Sequence, residues 1–127
     1  MQKFGKEERL CSATDIQTLF DEGKQIFRHP VKLIWMPVFS SEKQEIKVLI
    51  SVSKRNFKHA TDRNRIKRVL REIYRMHKSL LYNDLKDKSL HIAIIFVGKK
   101  LPDFKTLEPI IIGLFQRLIS EHEETSG

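Results

Sequence analysis

The pattern of apolar and polar residues predicts an alternation of strands and helices along the chain. Residues 46–53 follow the period of two that marks a strand with one buried face. Residues 31–39 form a second predicted strand, with Val31, Leu33, Trp35 and Phe39 on one side and Lys32 interrupting the other. Residues 90–97 form a continuous apolar run, which favours a strand buried on both faces. Residues 24–28 are a candidate for a further short strand, so the pattern predicts a sheet of three or four strands.

The strand predicted at residues 46–53 has two faces of different character. One face is entirely apolar, whereas the other carries Ser51 and Ser53 near the end of the strand. Small hydroxyl side chains leave room above a sheet and offer hydrogen bonds. This second face can therefore receive a ligand that lies across the sheet.

Three segments have the three-and-four spacing of amphipathic helices. The first spans residues 12–23, with capping-box spacing at its start and a glycine at its end. The second is a long basic helix with Thr61 as its expected N-cap. The third begins at Asp103 or Thr106 and has a broad apolar stripe.

The long helix has a buried stripe and a basic face. Its apolar residues recur at helical spacing and comprise Ile66, Val69, Leu70, Ile73, Met76, Leu80 and Leu81. At about 100° per residue, the opposite side carries Asn64, Lys67, Arg68, Arg71, Arg75 and Lys78. Arg63 and Arg65 fall at the borders of the stripe, in the first turn, where they oppose the positive end of the helix dipole. A local rule broken in this way is typical of functional sites.

The net charge of the chain is concentrated in residues 54–78. This segment has ten Lys or Arg and two acids, a balance of +8, and the whole chain has 24 and 16, also a balance of +8. The rest of the chain therefore contributes no net charge. A positive field confined to one segment favours a polyanion partner, and nucleic acid is the first candidate. A solvated helix face is the alternative, but such faces mix Lys with Glu at four-residue spacing.

Candidates for protein-based catalysis are few. The sequence has no HExxH, no paired cysteines and no Gly-rich phosphate loop, and its five histidines are scattered. Asp62 and Glu72 fall on different faces of the basic helix and cannot share a metal ion there. His77 falls within the apolar stripe, so we interpret it as a core residue. We predict no catalytic residue and no metal site in the protein.

Composition favours a small protein of the reduced cytoplasm. We expect one domain over residues 1–127, with the polar residues 121–127 as a flexible tail. The single cysteine, Cys11, excludes an internal disulfide framework. The N-terminus lacks the apolar core of a signal peptide, and the longest apolar runs are too short to span a membrane. The expected location is cytoplasmic, with no membrane and no protein partner required.

The string RNRIKR at residues 63–68, preceded by SVSKR at 51–55 and a short loop, resembles the signature of the bacterial ribonuclease P protein family. The order of elements on both sides also fits, so the resemblance covers most of the chain. It implies an α+β fold of order α-β-β-(β)-α-β-α, a two-layer α/β sandwich with helices on one mixed sheet. This is the fold of domain 2 of ribosomal protein S5, and the family's β-α-β crossover is left-handed.

The resemblance also implies a function. In this family the catalytic centre is an RNA, which removes the 5′ leader of precursor tRNA with bound Mg²⁺. The protein would then be a subunit of an endonuclease and supply no catalytic group itself. The implied partners are the catalytic RNA and the 5′ leader, and the implied cofactor is Mg²⁺, held mainly by the RNA.

Carried over position by position, the resemblance implies two RNA-binding regions. The basic region comprises Lys54, Arg55, Lys58, Arg63, Asn64, Arg65, Lys67, Arg68, Arg71 and Arg75. The cleft for the single-stranded leader comprises Phe20, Ser51, Ser53 and Trp35, since single strands stack on aromatic rings. Core packing is the alternative for Phe20 and for Trp35. The family has a second aromatic one turn before Phe20, where this chain has Ile16.

A different function remains open at this point. A general binding module for structured RNA, such as a ribosome-associated protein, would share the basic helix without a leader cleft. Affinity for leader-bearing precursor tRNA relative to mature tRNA distinguishes the two.

Overall fold

The computed structural model describes residues 8–39, 44–85 and 88–126, and within them the elements follow the predicted order. The short strand proposed at residues 24–28 is present. The elements are α1 (Ala13–Glu22), β1 (Lys24–Arg28), β2 (Val31–Val38), β3 (Ile46–Val52), α2 (Ala60–Asp84), β4 (Ser89–Phe96) and α3 (Phe104–Ser126).

The strands form one mixed sheet in the order β1-β2-β4-β3. β2 pairs antiparallel with β1 and β4, whereas β3 runs parallel to β4. Parallel neighbours require a crossover connection, and α2 supplies it. Side chains of β4 pack in apolar clusters on both faces of the sheet, with Ile92 and Ile94 on one face and Ala93 on the other, which explains its continuous apolar run. Pro37 lies beyond Trp35, the last residue of β2 that pairs with β1, so it interrupts no pairing there.

The main core lies between one face of the sheet and the helices α2 and α3. Alternate strand residues such as Leu33, Val48 and Ile92 meet the apolar stripes of both helices there. α2 and α3 also pack on each other, and the rings of Tyr74 and Phe115 meet edge to face with centroids 6.1 Å apart. This arrangement agrees with the predicted α+β packing of helices on one mixed sheet.

α1 lies on the opposite face of the sheet, where a smaller apolar cluster joins Leu10, Leu19, Ile34 and Ala93. Ser12 caps the helix, because its Oγ accepts a hydrogen bond of 3.3 Å from the Asp15 amide. At Gly23, a Cβ would lie 2.7 Å from Ile34 Cγ2, so glycine permits the close turn from α1 into β1. α1 therefore covers part of the second face and leaves the rest for other contacts.

Two predictions about α2 were wrong in detail. The helix begins at Ala60 after His59, which makes no side-chain cap hydrogen bond, so Thr61 lies inside the first turn. Met76 is 44% exposed, whereas Tyr74 is fully buried. The stripe is displaced because α2 packs on α3 as well as on the sheet, and the residue that meets α3 is Tyr74.

The C-terminal tail also differs from its prediction. α3 continues to Ser126, so residues 121–126, which were predicted as part of a flexible tail, are helical, and Gly127 lies outside the described residues. His122 is buried in this last part of the helix and packs its ring 5.7 Å from the ring of Trp35. An aromatic contact with the sheet thus holds the end of the helix.

The buried stripe of α2 leads to a stability prediction. Leu70 is fully buried, so Leu70→Ala should lower the free energy of unfolding by about 2–5 kcal/mol. The exposed Met76 on the same helix is the matched control, and Met76→Ala should change it by at most about 0.5 kcal/mol. Denaturant unfolding of the three proteins measures both values. Equal losses would contradict the assignment of the buried stripe.

Candidate nucleic-acid interface

The exposed face of α2 carries the central part of the basic signature. Asn64, Arg65 and Arg68 are exposed, and Lys67 and Arg71 are partly exposed. None of the four cations makes an ion pair with any residue that the structure describes. They are close neighbours at helical spacing, so their positive charges repel one another. Phosphate groups bound at this surface would relieve that repulsion.

The loop between β3 and α2 adds Lys54, Arg55 and Lys58, all of which are exposed. Asn56 fixes this loop, because its Nδ2 donates hydrogen bonds of 3.2 Å to the carbonyls of Val97 and Gly98. The loop cations are therefore held at the end of the sheet where β3 and β4 finish.

Arg63 contacts the loop rather than pointing away from the protein. Its Nη1 donates hydrogen bonds to the carbonyl oxygens of Phe57 at 2.6 Å and Lys58 at 3.0 Å. α2 has no side-chain cap, and Arg63 ties its first turn to the preceding loop in place of one. The prediction grouped Arg63 with the docking residues, and the structure gives it a structural contact as well.

Further along α2, Arg75 and Lys78 are engaged by acids. Arg75 Nε lies 3.0 Å from Glu72 Oε2, and this hydrogen bond lowers the pKa of Glu72 and raises that of Arg75. Lys78 Nζ lies 2.8 Å from Glu8 Oε1, and its side chain is only 13% exposed. The placement of Lys78 on the solvent face was therefore wrong, because the segment before α1 packs on that part of the helix.

The second face of the sheet carries a row of four side chains, one from each strand. The register pairs Phe27 of β1 with Lys32 of β2, Lys32 with Ile95 of β4, and Ile95 with Ser51 of β3. Their chain neighbours Ile26, Val31, Leu33, Ile94, Phe96, Ile50 and Val52 pack in the main core. The row therefore points to the face that carries α1. We call Phe27, Lys32, Ile95 and Ser51 the cleft row.

The cleft row lies beside α1. The parallel row two residues along each strand contains Leu49, Ala93 and Ile34, which pack in the apolar cluster under α1, and Ile95 of the cleft row packs against the same cluster. Of the cleft row, Phe27 is 52% exposed, and the other three are partly exposed. We call the surface over the cleft row, beside α1, the groove.

The residues predicted to form the leader cleft lie in different parts of the structure. Ser51 lies in the cleft row, and Ser53 follows the end of β3. Phe20 is 40% exposed on α1, so it is not a core residue, while Ile16 packs partly against the small cluster. Trp35 is fully buried in the main core on the other face of the sheet, so its inclusion in the cleft was wrong.

Some exposed residues near these surfaces were not among the predicted site residues. Lys99 and Lys100 follow β4, beside the loop held by Asn56, and line a cavity of about 540 Å³ with His29 and Leu101. Lys32 and Phe27 belong to the cleft row. The sequence signal for Lys32 was its position between the apolar residues of a strand, but only the register places it next to Phe27 and Ser51.

The described residues offer little for catalysis. Among them, no group of three or more His, Cys, Asp or Glu side chains could hold a metal ion. His77 is half-buried between α2 and α3, with its Nε2 2.7 Å from Glu108 Oε2, so it has a structural partner. No helix in the described part of the chain is long and apolar enough to cross a membrane.

Comparison with known proteins identifies the family. The model of the family described as Ribonuclease P matches residues 4–118. The chain belongs to the bacterial ribonuclease P protein family. The ribonuclease P protein component of Porphyromonas gingivalis is 37% identical over 105 residues, which cover 81% of this chain and 77% of that protein. The component from Chlorobium phaeobacteroides is 33% identical over 125 residues, covering 89% of this chain and 86% of the relative.

The fold agrees with a solved ribonuclease P protein. The structure from Thermotoga maritima superposes with a TM-score of 0.68 at 28% sequence identity, covering 87% of this chain and 96% of that chain. The α+β fold and the resemblance of the RNRIKR segment are thus confirmed. As a member of this family, the chain is the protein subunit of ribonuclease P, the ribonucleoprotein endonuclease that matures the 5′ end of tRNA.

Two arginines in the first turns of α2 provide a test of the interface. Arg65→Ala should leave the melting temperature nearly unchanged, because Arg65 is exposed and opposes the helix dipole. It should weaken assembly with ribonuclease P RNA, because it removes a phosphate-binding group. Arg63→Ala should lower the melting temperature, because it removes the hydrogen bonds to the loop carbonyls.

Thermal unfolding and filter binding to the RNA measure both effects. If Arg65→Ala destabilises the protein as much as Arg63→Ala does, the division between the structural and the docking arginine is wrong.

Proposed function

We propose that the protein docks on the catalytic RNA through the basic face of α2 and holds the 5′ leader in the groove beside α1. The observation that carries this proposal is that the two surfaces lie on opposite sides of one sheet. α2 packs in the main core, whereas the cleft row points to the other face. A single RNA strand crossing the groove does not compete with an RNA bound to α2.

The docking surface consists of Arg65, Lys67, Arg68 and Arg71 with Asn64, extended by the exposed loop cations Lys54, Arg55 and Lys58. Arg65, Lys67, Arg68 and Arg71 lack an acidic partner among the described residues, so phosphates need displace no internal ion pair. Arg75 contributes less, because Glu72 already neutralises part of its charge. Binding through phosphates releases counterions and reads RNA shape rather than sequence.

The groove suits a single strand. Ser51 and Ser53 offer small hydroxyl groups, and Phe20 offers an exposed ring on the neighbouring helix α1. Unpaired bases stack on aromatic side chains and bond to polar groups through their edges, whereas a duplex hides both. The 5′ leader of precursor tRNA is the single-stranded substrate segment that the family's reaction provides.

Hydrolysis is assigned to the RNA subunit. Among the described residues, no group of three or more His, Cys, Asp or Glu side chains could hold a metal ion. We therefore assign Mg²⁺ mainly to the RNA and derive no protein-borne step from it. The protein contributes cations that screen repulsion between the two RNAs. The enzyme works in the cytoplasm, where precursor tRNA is made.

Salt dependence tests the docking surface. If six to eight cations neutralise phosphates, the logarithm of the binding constant should fall against the logarithm of salt concentration with a slope of about −4 to −7. Titration of the protein with ribonuclease P RNA at several salt concentrations gives this slope. A slope near −1 would contradict the proposal.

Reconstitution tests the division of labour. The protein alone should not cleave precursor tRNA, whereas together with a bacterial ribonuclease P RNA it should raise cleavage most at low Mg²⁺. The reason is that protein cations replace part of the screening by divalent ions. Site-specific cleavage by RNA-free protein that survives repeated purification would overturn this assignment.

Phe20→Ala tests the groove. It should weaken the preference of the holoenzyme for leader-bearing over mature tRNA by up to about 1–3 kcal/mol, the usual contribution of one stacked base. Affinity for ribonuclease P RNA should stay unchanged. Phe39, which is 90% exposed at the end of β2, supplies the control variant Phe39→Ala. Equal preference in the Phe20→Ala and Phe39→Ala variants would contradict the proposed groove.

A further inference from the structure

Phe27 is an exposed aromatic at the outer end of the cleft row. Its chain neighbour Ile26 is buried in the main core, so the ring of Phe27 stands on the α1 face of edge strand β1, 52% exposed. The ring meets His29 in an edge arrangement, with centroids 6.2 Å apart and planes at 65°. This contact steadies the edge of the ring and leaves a π-face for another group.

Lys32 lies next to Phe27 in the register of the sheet, on the same face. No acidic group among the described residues forms an ion pair with it. A flat apolar ring beside an unpaired ammonium group matches the two parts of a nucleotide, because the base stacks and the phosphate is neutralised. The pair is therefore suited to one unpaired nucleotide of RNA.

The cleft row also gives the distance between the two ends of the groove. Three strand spacings of about 4.8 Å separate β3 from β1, so Ser51 and Phe27 stand about 14 Å apart. The β3 end of the row adjoins the basic loop that leads into α2, whereas the β1 end lies at the free edge of the sheet. A strand crossing the floor would meet these two ends in turn.

We propose that Phe27, with His29 and Lys32, forms an edge subsite that stacks a leader nucleotide farther from the cleavage site than those at Ser51 and Ser53. This inference rests on the proposed leader groove. With the catalytic RNA docked on α2 and the basic loop, the nucleotides nearest the cleavage site lie at the β3 end. The leader then runs outward across the row, and Phe27 contacts only leaders long enough to reach β1.

The test measures binding by the reconstituted holoenzyme to precursor tRNAs whose leaders are shortened one nucleotide at a time. Wild-type affinity should rise with leader length and then level off. Phe27→Ala should lose only the gain from the longest leaders, about 5- to 140-fold, and should match wild type on short leaders and on mature tRNA. Phe27→Trp should retain the gain in affinity from long leaders. Phe39→Ala is the control, because it removes an exposed aromatic ring just after β2, outside the cleft row.

Two further variants sharpen the result. Phe27→Leu keeps an apolar side chain without a ring face, so it should behave as Phe27→Ala does, and it serves as the stable replacement if the alanine variant melts early. Lys32→Ala should reduce the salt slope for long leaders by about one and leave that for short leaders unchanged.

The outcomes separate the subsite from the groove. If Phe20→Ala reduces leader binding while Phe27→Ala equals wild type at every length, the edge subsite is rejected and the groove stands. If both variants equal wild type throughout, both are rejected. If Phe27→Ala lost affinity equally for all tRNAs, mature tRNA included, the subsite would also be rejected. Mature tRNA has no leader, so a contact with a leader nucleotide cannot change its affinity.

Discussion

The burial of α2 against the sheet is the interaction on which both candidate surfaces depend. Ile66, Leu70 and Ile73 are fully buried, and their positions fix the rotation of the helix about its axis. With that rotation fixed, Arg65 and Arg68 are exposed to solvent at one side of the molecule. Because α2 also covers one face of the sheet, any RNA strand that crosses the strands must use the other face.

The same packing carries an electrostatic cost. Like charges at three- and four-residue spacing destabilise a helix, and cations in the first turn oppose its dipole. Arg63 offsets part of this cost through its hydrogen bonds to Phe57 and Lys58, whereas Arg65 has no such contact among the described hydrogen bonds. The protein therefore keeps at its surface a cluster of charges that a polyanion stabilises, which is the condition for strong, salt-dependent RNA binding.

The order of elements and the basic face of α2 were predictable because each depends on local periodicity. Local periodicity could not assign the surroundings of Trp35 and Lys78, because these depend on tertiary packing. Trp35 shares a face with Leu33, and both sides of β2 are apolar, so the strand does not reveal which side the long helices cover. The partner of Lys78 is Glu8, 70 residues away in the chain, and no local pattern connects them.

The proposed leader groove shows the same limit. Ser51 and Ser53 were found from the alternation of one strand, but the floor of the groove is a row across four strands. Strand order and register place Phe27 and Lys32 in that row, and neither is encoded in the period of a single strand. The proposed two-sided use of the sheet thus depends on the topology, which joins the parallel strands β3 and β4 through α2.

The most direct test of this two-sided account is site-specific photocrosslinking in the reconstituted holoenzyme with leader-bearing precursor tRNA. A probe at Ser53 should label the leader within a few nucleotides of the cleavage site, and a probe at Arg68 should label the catalytic RNA. The account would be contradicted if the probe at Ser53 labelled only the catalytic RNA, because the two faces of the sheet would then not separate the two RNAs.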